Sequence, residues 1–173
     1  MAEALDPVIP GDVERLAQEV LGEACDRGLK LATAESCTGG LLASLLTDIP
    51  GKSHAFECGF VAYTHEAKQE LLGVPPDVLE EDGAVSERCA RAMAEGAVAR
   101  SRADMALSIT GFTDSGPGQP GGLVHFACAV RDGPTTHRKA QFGDVGRAGV
   151  RICALRTALE MMQAQLREIA DAA

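Results

Sequence analysis

The sequence predicts a three-layer α/β/α fold, of the α/β class, in which a mixed, mostly parallel sheet lies between two layers of helices. Helix-like and strand-like segments alternate over the first two thirds of the chain, as in proteins whose parallel strands are joined by crossover helices. Two further strand-like segments then follow each other across a short turn, which adds antiparallel strands. No repeat or long linker divides the sequence, so we expect a single domain over residues 1–173.

The first predicted helix follows a lead-in of ten residues and begins near Asp12, whose carboxylate can cap it. Its apolar residues recur with the 3.6-residue period of a helix, and Gly28 ends it. Residues 29–34 predict a short apolar strand. A turn that contains two glycines follows, and the apolar run at residues 41–46 predicts the next helix.

The middle of the chain predicts a second strand and two helices. Residues 59–63 form the strand, and a helix over about residues 65–72 follows it and ends at Gly73. Ser86 is a good cap for the next helix. The small residues that recur between positions 90 and 97 of that helix suit close packing on a sheet or against a second copy of the chain.

The last third of the chain predicts a buried strand, a hairpin and a long helix. Residues 105–109 are largely apolar on both faces, as in a parallel strand that is covered on both sides. Residues 123–130 and 135–142 predict two strands, because the turn between them contains Asp, Gly and Pro. A stripe of apolar residues from Val150 to Ile169 predicts the final helix.

The composition argues against several classes of function. A formal net charge of −9 disfavours binding to the phosphate backbone of nucleic acids. No apolar run approaches the roughly 20 residues that span a bilayer. The first twelve residues lack the features of a signal peptide, so we expect a cytoplasmic protein without a membrane partner. The six cysteines include no Cys-x-x-Cys pair, which indicates neither a zinc site nor a disulfide framework.

The glycine-containing turn at residues 35–40, with the sequence ESCTGG, is the first candidate site. A strand end here delivers the hydroxyl of Ser36 into a turn at the start of a helix. The backbone N–H groups of Thr38, Gly39 and Gly40 can then bind an oxyanion or a phosphate. The alternative is structural, with the serine and the threonine capping the helix and the glycines serving the tight turn.

The second candidate site is the strand exit at Tyr63, the only tyrosine of the chain, together with Lys68 on the next helix. A neutral lysine in a dry pocket can take a proton from a serine hydroxyl, and burial lowers the pKa of lysine toward the working range. The alternative is an exposed lysine on a helix surface. His65 is another possible base, although its position also fits a cap or a surface residue.

Two later segments carry candidate substrate-binding residues. A strand end opens into Thr110 and Gly111, and the glycine- and proline-rich loop that follows to residue 122 resembles a rim or lid. The alternative is a flexible surface connection. Arg147 precedes the last helix and can bind a phosphate or a carboxylate, or it can form a weak surface ion pair.

Together these segments resemble the CinA C-terminal domain family, the nicotinamide mononucleotide deamidases also called PncC proteins. The resemblance runs over roughly residues 13–162, which is nearly the entire chain. Four stretches carry it, and they occur in the family's order. They are residues 34–40, 61–68, 72–75 and 83–87.

The resemblance implies an α/β/α fold and a small-molecule substrate, the pyridine mononucleotide nicotinamide mononucleotide. Its carboxamide would be hydrolysed to the acid with release of ammonia, and neither a metal nor a cofactor is implied. A serine nucleophile, a lysine base and an assisting tyrosine are implied, and these match Ser36, Lys68 and Tyr63. The residues that match the family's substrate-binding positions are Thr110, Gly111 and Arg147.

The sequence departs from the family pattern near the substrate. Members commonly read T-G-I-A-G-P and K-P-V-G-T-V, whereas this chain reads TGFTDS at residues 110–115 and QPGGLV at residues 119–124. A lysine is therefore missing, Asp114 is new, and two residues separate Arg147 from the Gly-Asp pair before it. These departures leave two alternatives: a regulatory module that binds the nucleotide without turnover, and an amidase for another small carboxamide.

Two further expectations concern the nucleophile and the assembly. Cys37 is a rival nucleophile, because a thiolate at a helix N-terminus is activated. We favour Ser36, since no histidine is positioned by the sequence to pair with Cys37. Small enzymes of this kind often form symmetric dimers, so we expect a homo-oligomer.

Overall fold

The structure is a computed structural model that describes residues 9–171. Apart from its last two residues, the expected lead-in lies outside the described residues. The helices are α1 (Gly11–Asp26), α2 (Leu41–Thr47), α3 (His65–Leu72), α4 (Pro76–Glu81), α5 (Glu87–Ala99) and α6 (Gly146–Asp171). The strands are β1 (Leu31–Glu35), β2 (Phe56–Val61), β3 (Met105–Gly111), β4 (Leu123–Val130) and β5 (Thr135–Gln141). A single turn of 3-10 helix, Ser53–Ala55, precedes β2.

The five strands form one mixed sheet in the order β2-β1-β3-β4-β5. Strand β1 pairs in parallel with both β2 and β3, whereas β4 pairs antiparallel with β3 and β5. Four of the five strands therefore run in the same direction, which confirms the predicted mixed, mostly parallel sheet. The carboxyl ends of β1 and β3 lie side by side, and sheets of this kind bind ligands at such ends.

Helices cover both faces of the sheet, and the two faces differ in the size of their side chains. One face packs against α1, α2 and α6 through larger apolar residues of the central strands: Leu31, Met105, Leu107, Ile109, Val124 and Phe126. The other face packs against α3, α4 and α5 through small residues: Ala32, Ala34, Ala106, Ala127 and Ala129. Because alanine side chains are short, α5 approaches the sheet closely on this second face.

The small-residue face of α5 is buried within the chain. Its members Ala90, Met93, Ala94 and Ala97 are inaccessible to solvent and belong to the cluster that packs on the sheet. The predicted packing of this face on a sheet is therefore confirmed. The same burial makes the face unavailable to a second copy of the chain, so its suggested role in packing against a partner is wrong.

Some element boundaries differ from those that the sequence predicts. The cap residue of α1 is Pro10 rather than Asp12, whose carboxylate instead lies in the first turn and accepts a hydrogen bond from Arg156 at 2.8 Å. Strand β2 begins earlier than predicted, because Phe56 already pairs with β1. Helix α4 is not among the predicted elements, although Pro76 at its first position is a common helix start.

The described residues also bear on membranes, metals and disulfides. Among residues 9–171, no helix combines the length and the apolar character that a membrane span needs. Within that same range, no group of three or more His, Cys, Asp or Glu side chains is placed to hold a metal ion. All six cysteines are free thiols.

Candidate active site

Ser36 directly follows β1, at the edge of the sheet where β1 and β3 both end. Its backbone N–H donates to the carbonyl of Ile109 in β3 at 3.0 Å, which extends the parallel pairing by one residue. Its side chain is 7% exposed and lines a cavity. The sheet therefore fixes the backbone of Ser36, and its hydroxyl opens into the cavity.

The carboxylate of Glu35, the last residue of β1, organises the turn that carries Ser36. Glu35 is fully buried, and its side chain accepts four hydrogen bonds. The donors are the hydroxyl of Thr38 at 2.6 Å and the N–H groups of Gly40, Leu42 and Ala43 at 3.1, 3.1 and 2.8 Å. The buried acid thus caps α2 in place of a serine or threonine, and a negative charge is favourable at a helix N-terminus.

This arrangement already occupies the backbone groups of the two glycines predicted to bind substrate. The N–H of Gly39 donates to the carbonyl of Ser36 at 3.1 Å, and that of Gly40 donates to Glu35. Thr38 is buried, and neither it nor the two glycines line the cavity. The structure therefore places these three residues behind the cavity wall, where they shape the turn.

The peptide groups just after Ser36 are arranged differently. Within the described chain, the N–H groups of Cys37 and Thr38 donate to no other residue. The guanidinium of Arg151 in α6 donates to the Cys37 carbonyl at 3.0 Å and so holds the peptide group between Cys37 and Thr38. Sequence reasoning does not single out Glu35 or Arg151, because their partners come together only in the folded turn.

Lys68 extends from α3 to the hydroxyl of Ser36. Helix α3 begins after Thr64, whose hydroxyl oxygen accepts the N–H of Ala67 at 3.1 Å. The Lys68 side chain is 1% exposed, and its Nζ lies 3.0 Å from the Oγ of Ser36. The same nitrogen lies 3.0 Å from the carbonyl oxygen of Ala62 and 3.3 Å from that of Tyr63.

The surroundings of Lys68 favour the neutral amine. Burial lowers the pKa of Lys68 below its usual value, and none of the ion pairs in the described chain involves this residue. A neutral amine has two hydrogens and one lone pair. Two carbonyl oxygens can accept the hydrogens, which leaves the lone pair to accept the proton of Ser36. The geometry is that of a nucleophile beside its general base.

A cavity of about 390 Å³ opens in front of this pair. The remaining lining residues come from the segment before α5, from the end of β3 and the loop after it, and from the start of α6. They include Ala84, Val85, Thr110, Gly111, Phe112, Thr113, Asp114, Gln119 and Arg147. The loop after β3 therefore forms part of the rim, in agreement with its interpretation from the sequence as a rim or lid.

Tyr63 and Thr110 line the cavity in different ways. The Tyr63 side chain is 71% exposed, and within the described residues its hydroxyl contacts neither Ser36 nor Lys68 by a hydrogen bond. Its assisting role stays a prediction. The hydroxyl of Thr110 donates to the Ala84 carbonyl at 2.6 Å, so this side chain joins β3 to the segment before α5.

Arg147 lies in the first turn of α6, at the rim of the cavity. Its guanidinium forms an ion pair with the carboxylate of Asp114, from the loop after β3. Both side chains are about half exposed, at 49% and 54%. The structure therefore brings Arg147 to the predicted site but gives it an acidic partner there.

The two rival residues are poorly suited to catalysis. Cys37 is buried, and this burial raises the pKa of its thiol to about 11, which disfavours the thiolate. His65 is exposed at the first position of α3 and does not line the cavity. Ser36 and Lys68 are thus the pair that the structure brings together.

Comparison with known proteins gives relatives that are named CinA-like proteins. A CinA-like protein from Akkermansia muciniphila is 50% identical over 123 residues, which cover 69% of this chain and 30% of that protein. A CinA-like protein from Anaeromyxobacter sp. is 42% identical over 165 residues, which cover 94% of this chain and 40% of that protein. The chain thus matches less than half the length of these curated relatives.

Solved structures agree in fold and cover nearly the whole chain. The competence/damage inducible protein CihA from Agrobacterium tumefaciens has a TM-score of 0.88 at 45% identity, covering 92% of this chain and 98% of that one. A CinA superfamily protein from Klebsiella pneumoniae has a TM-score of 0.85 at 32% identity, covering 90% and 98%. The sequence model of the CinA C-terminal domain matches residues 13–166. The chain therefore belongs to the CinA C-terminal domain family.

Proposed function

We propose that this protein is a cytoplasmic amidohydrolase that converts nicotinamide mononucleotide to nicotinate mononucleotide and ammonia. Ser36 is the nucleophile, Lys68 is the general base, and Tyr63 assists. The observation that carries the proposal is the 3.0 Å contact between the Lys68 amine and the Ser36 hydroxyl in the cavity wall, where none of the described residues forms an ion pair with the lysine. A lysine that served only structure would normally be paired with a carboxylate or exposed to water.

In the first half of the reaction, the Oγ of Ser36 attacks the carboxamide carbon. The neutral amine of Lys68 takes the hydroxyl proton, directly or through Tyr63, and delivers it to the amide nitrogen. The C–N bond then breaks, ammonia leaves, and an ester joins the acyl group to Ser36. The positive charge of the pyridinium ring makes its carboxamide more electrophilic, which favours the attack.

The negative oxygen that forms during the attack needs hydrogen-bond donors. We assign this role to the N–H of Cys37, which lines the cavity and is not used by the turn, rather than to that of Thr38, which does not line it. Arg151 supports this assignment because it holds the carbonyl of the same residue. One such donor typically lowers a barrier by about 3 kcal/mol. The occupied N–H groups of Gly39 and Gly40 make them weaker candidates.

In the second half of the reaction, water replaces ammonia. The neutral amine of Lys68 takes a proton from the water as its oxygen attacks the ester carbon. The C–O bond to Ser36 breaks, and the proton returns to the Oγ of the serine. Nicotinate mononucleotide leaves, and the pair is restored.

The residues that line the cavity support binding of a mononucleotide in this proposal. Thr110 and Gly111 line the cavity together with Ser36, and Arg147 lies at its rim, so we assign the phosphate to Arg147. The net charge of −9 does not repel the cationic pyridinium end.

A second candidate function is hydrolysis of another small carboxamide. The ion pair between Asp114 and Arg147 favours it, because a substrate without a phosphate would leave this pair intact. A regulatory module that binds without turnover is the third possibility, and the placement of Lys68 against Ser36 speaks for turnover instead.

An ammonia-release assay tests the proposal, with nicotinamide mononucleotide, nicotinamide riboside and nicotinamide compared side by side. We expect release from the mononucleotide, and its loss in the Ser36→Ala variant. Release from the riboside or from nicotinamide, without release from the mononucleotide, would support the second candidate. Calorimetric binding of the mononucleotide without any ammonia would support the regulatory module and contradict the proposed hydrolase.

A further inference from the structure

The rim of the cavity holds one acidic and one basic side chain that face each other. Lys68 and Arg147 are the basic residues that line the cavity in the described chain, and Asp114 is its acidic one. Lys68 is buried and turned to the nucleophile, so Arg147 is the basic group that an incoming anion meets. That group is already paired with Asp114.

We propose that Asp114 is a specificity-determining residue, which competes with the phosphate of the substrate for the guanidinium of Arg147. This inference rests on the proposed function and names how the site distinguishes a nucleotide from a nucleoside. The Asp114 carboxylate already occupies one nitrogen of this guanidinium, so a phosphate that pairs with Arg147 must share the group with Asp114 or displace it. A nucleoside that carries the same carboxamide has no such requirement.

The position of Asp114 is set by the loop that carries it. The N–H of Phe112 donates to the carbonyl of Leu123 at 2.9 Å, and the N–H of Gly122 donates to the carbonyl of Phe112 at 2.7 Å. Further along, the N–H of Gly121 donates to the hydroxyl of Ser115 at 3.2 Å. These bonds close both ends of the loop, so Asp114 is held at the rim rather than on a free segment.

The expected effect of this competition is modest, because both partners are half exposed. Exposed ion pairs contribute little, and a loss of one changes an equilibrium by up to about fivefold. Repulsion between the Asp114 carboxylate and the doubly charged phosphate acts in the same direction. Neutral Asn in place of Asp114 should therefore strengthen mononucleotide binding more than riboside binding.

The test is calorimetric binding of nicotinamide mononucleotide and of nicotinamide riboside to the Ser36→Ala protein, with and without Asp114→Asn. The measured quantity is the preference for the mononucleotide, taken as the ratio of the two dissociation constants. We expect Asp114→Asn to raise this preference about fivefold. In the Arg147→Gln background, we expect a lower preference for the mononucleotide than in the protein that retains Arg147. The gain from Asp114→Asn should also be smaller there.

Glu160→Gln is the matched control. Glu160 of α6 forms an ion pair with Arg138 of β5, and the two side chains are 48% and 46% exposed, so this variant removes the same charge from a similarly exposed pair. We expect it to leave the preference unchanged. An unchanged or lower preference in Asp114→Asn, or no binding of either ligand, would overturn the inference. Binding requires no turnover, so a failure of the hydrolase proposal shows separately as the absence of ammonia from the unsubstituted protein.

Discussion

The Nζ of Lys68 lies 3.0 Å from the Oγ of Ser36, although 32 positions separate the two residues in the chain. The fold explains the contact. Ser36 follows β1, and Lys68 lies on the helix that follows β2, the parallel neighbour of β1. Parallel strands bring their carboxyl ends to the same edge of a sheet, so residues that follow the two strands meet there.

Removal of the Ser36 hydroxyl should abolish turnover and preserve the fold. We expect Ser36→Ala to lower ammonia release by about 10⁴-fold or more, because it removes the hydroxyl that contacts the amine of Lys68 and that the proposed mechanism uses as nucleophile. Ammonia release and far-UV circular dichroism are the measurements. Ser44→Ala, at an exposed position of α2, is the matched control and should retain full activity.

The same series separates Ser36 from its neighbour Cys37. The pKa of the buried Cys37 thiol is raised to about 11, so little thiolate exists near neutral pH. We therefore expect Cys37→Ala to keep most of the activity. Loss of turnover in Cys37→Ala together with normal turnover in Ser36→Ala would reverse the assignment.

Activity should rise with pH through a pKa that is lower than the usual lysine value of 10.5. Burial disfavours the charged form of Lys68, so the neutral amine that the proposed mechanism requires appears at lower pH than in an exposed lysine. The measurement is the pH dependence of kcat/KM for ammonia release, which should increase up to this pKa and then level off.

Lys68→Arg is the control for the pH dependence, because a guanidinium does not release its proton in this range. We expect this variant to be inactive at every pH tested. A rate in the original protein that falls on raising the pH above neutrality would contradict the role of Lys68 as a base.

How far the sequence predicts this site depends on the kind of contact. The α/β/α fold and the meeting of Ser36 with Lys68 follow from the strand and helix order, because strand ends converge at one edge. The burial of Lys68 does not follow, since a lysine on a polar helix is usually exposed and its environment is set by the packing of α3. The pairing of Asp114 with Arg147 also stays hidden, because it depends on the path of an irregular loop.

Loss of the Glu35 charge should destabilise the protein. This carboxylate accepts four hydrogen bonds in a fully buried position, and the amide of Glu35→Gln offers one oxygen where two are in use. We expect the free energy of unfolding to fall by about 2 kcal/mol. Urea denaturation measures it, and Glu95→Gln, at an exposed position of α5, should change it by less than about 0.5 kcal/mol. Equal stability of the two variants would contradict the capping role of Glu35.

A methyl group at Gly96 should both destabilise the fold and disturb Lys68, the proposed general base. A Cβ at this buried position of α5 would lie 1.8 Å from the backbone carbonyl oxygen of Leu72, the last residue of α3. The backbone must shift to relieve this overlap, so we expect Gly96→Ala to lower the free energy of unfolding by about 3 kcal/mol. This loss exceeds the gain of about 1 kcal/mol that alanine brings to a helix.

Because α3 carries Lys68, the same shift should move the amine away from Ser36 and lower kcat in the fraction that remains folded. Gly11→Ala is the matched control, since a Cβ there has no neighbouring atom within 4 Å. We expect this control to leave kcat unchanged and to change the free energy of unfolding by less than about 0.5 kcal/mol. Thermal unfolding and ammonia release together check the prediction, and a Gly96→Ala protein with unchanged stability would show that α3 and α5 are not in close contact.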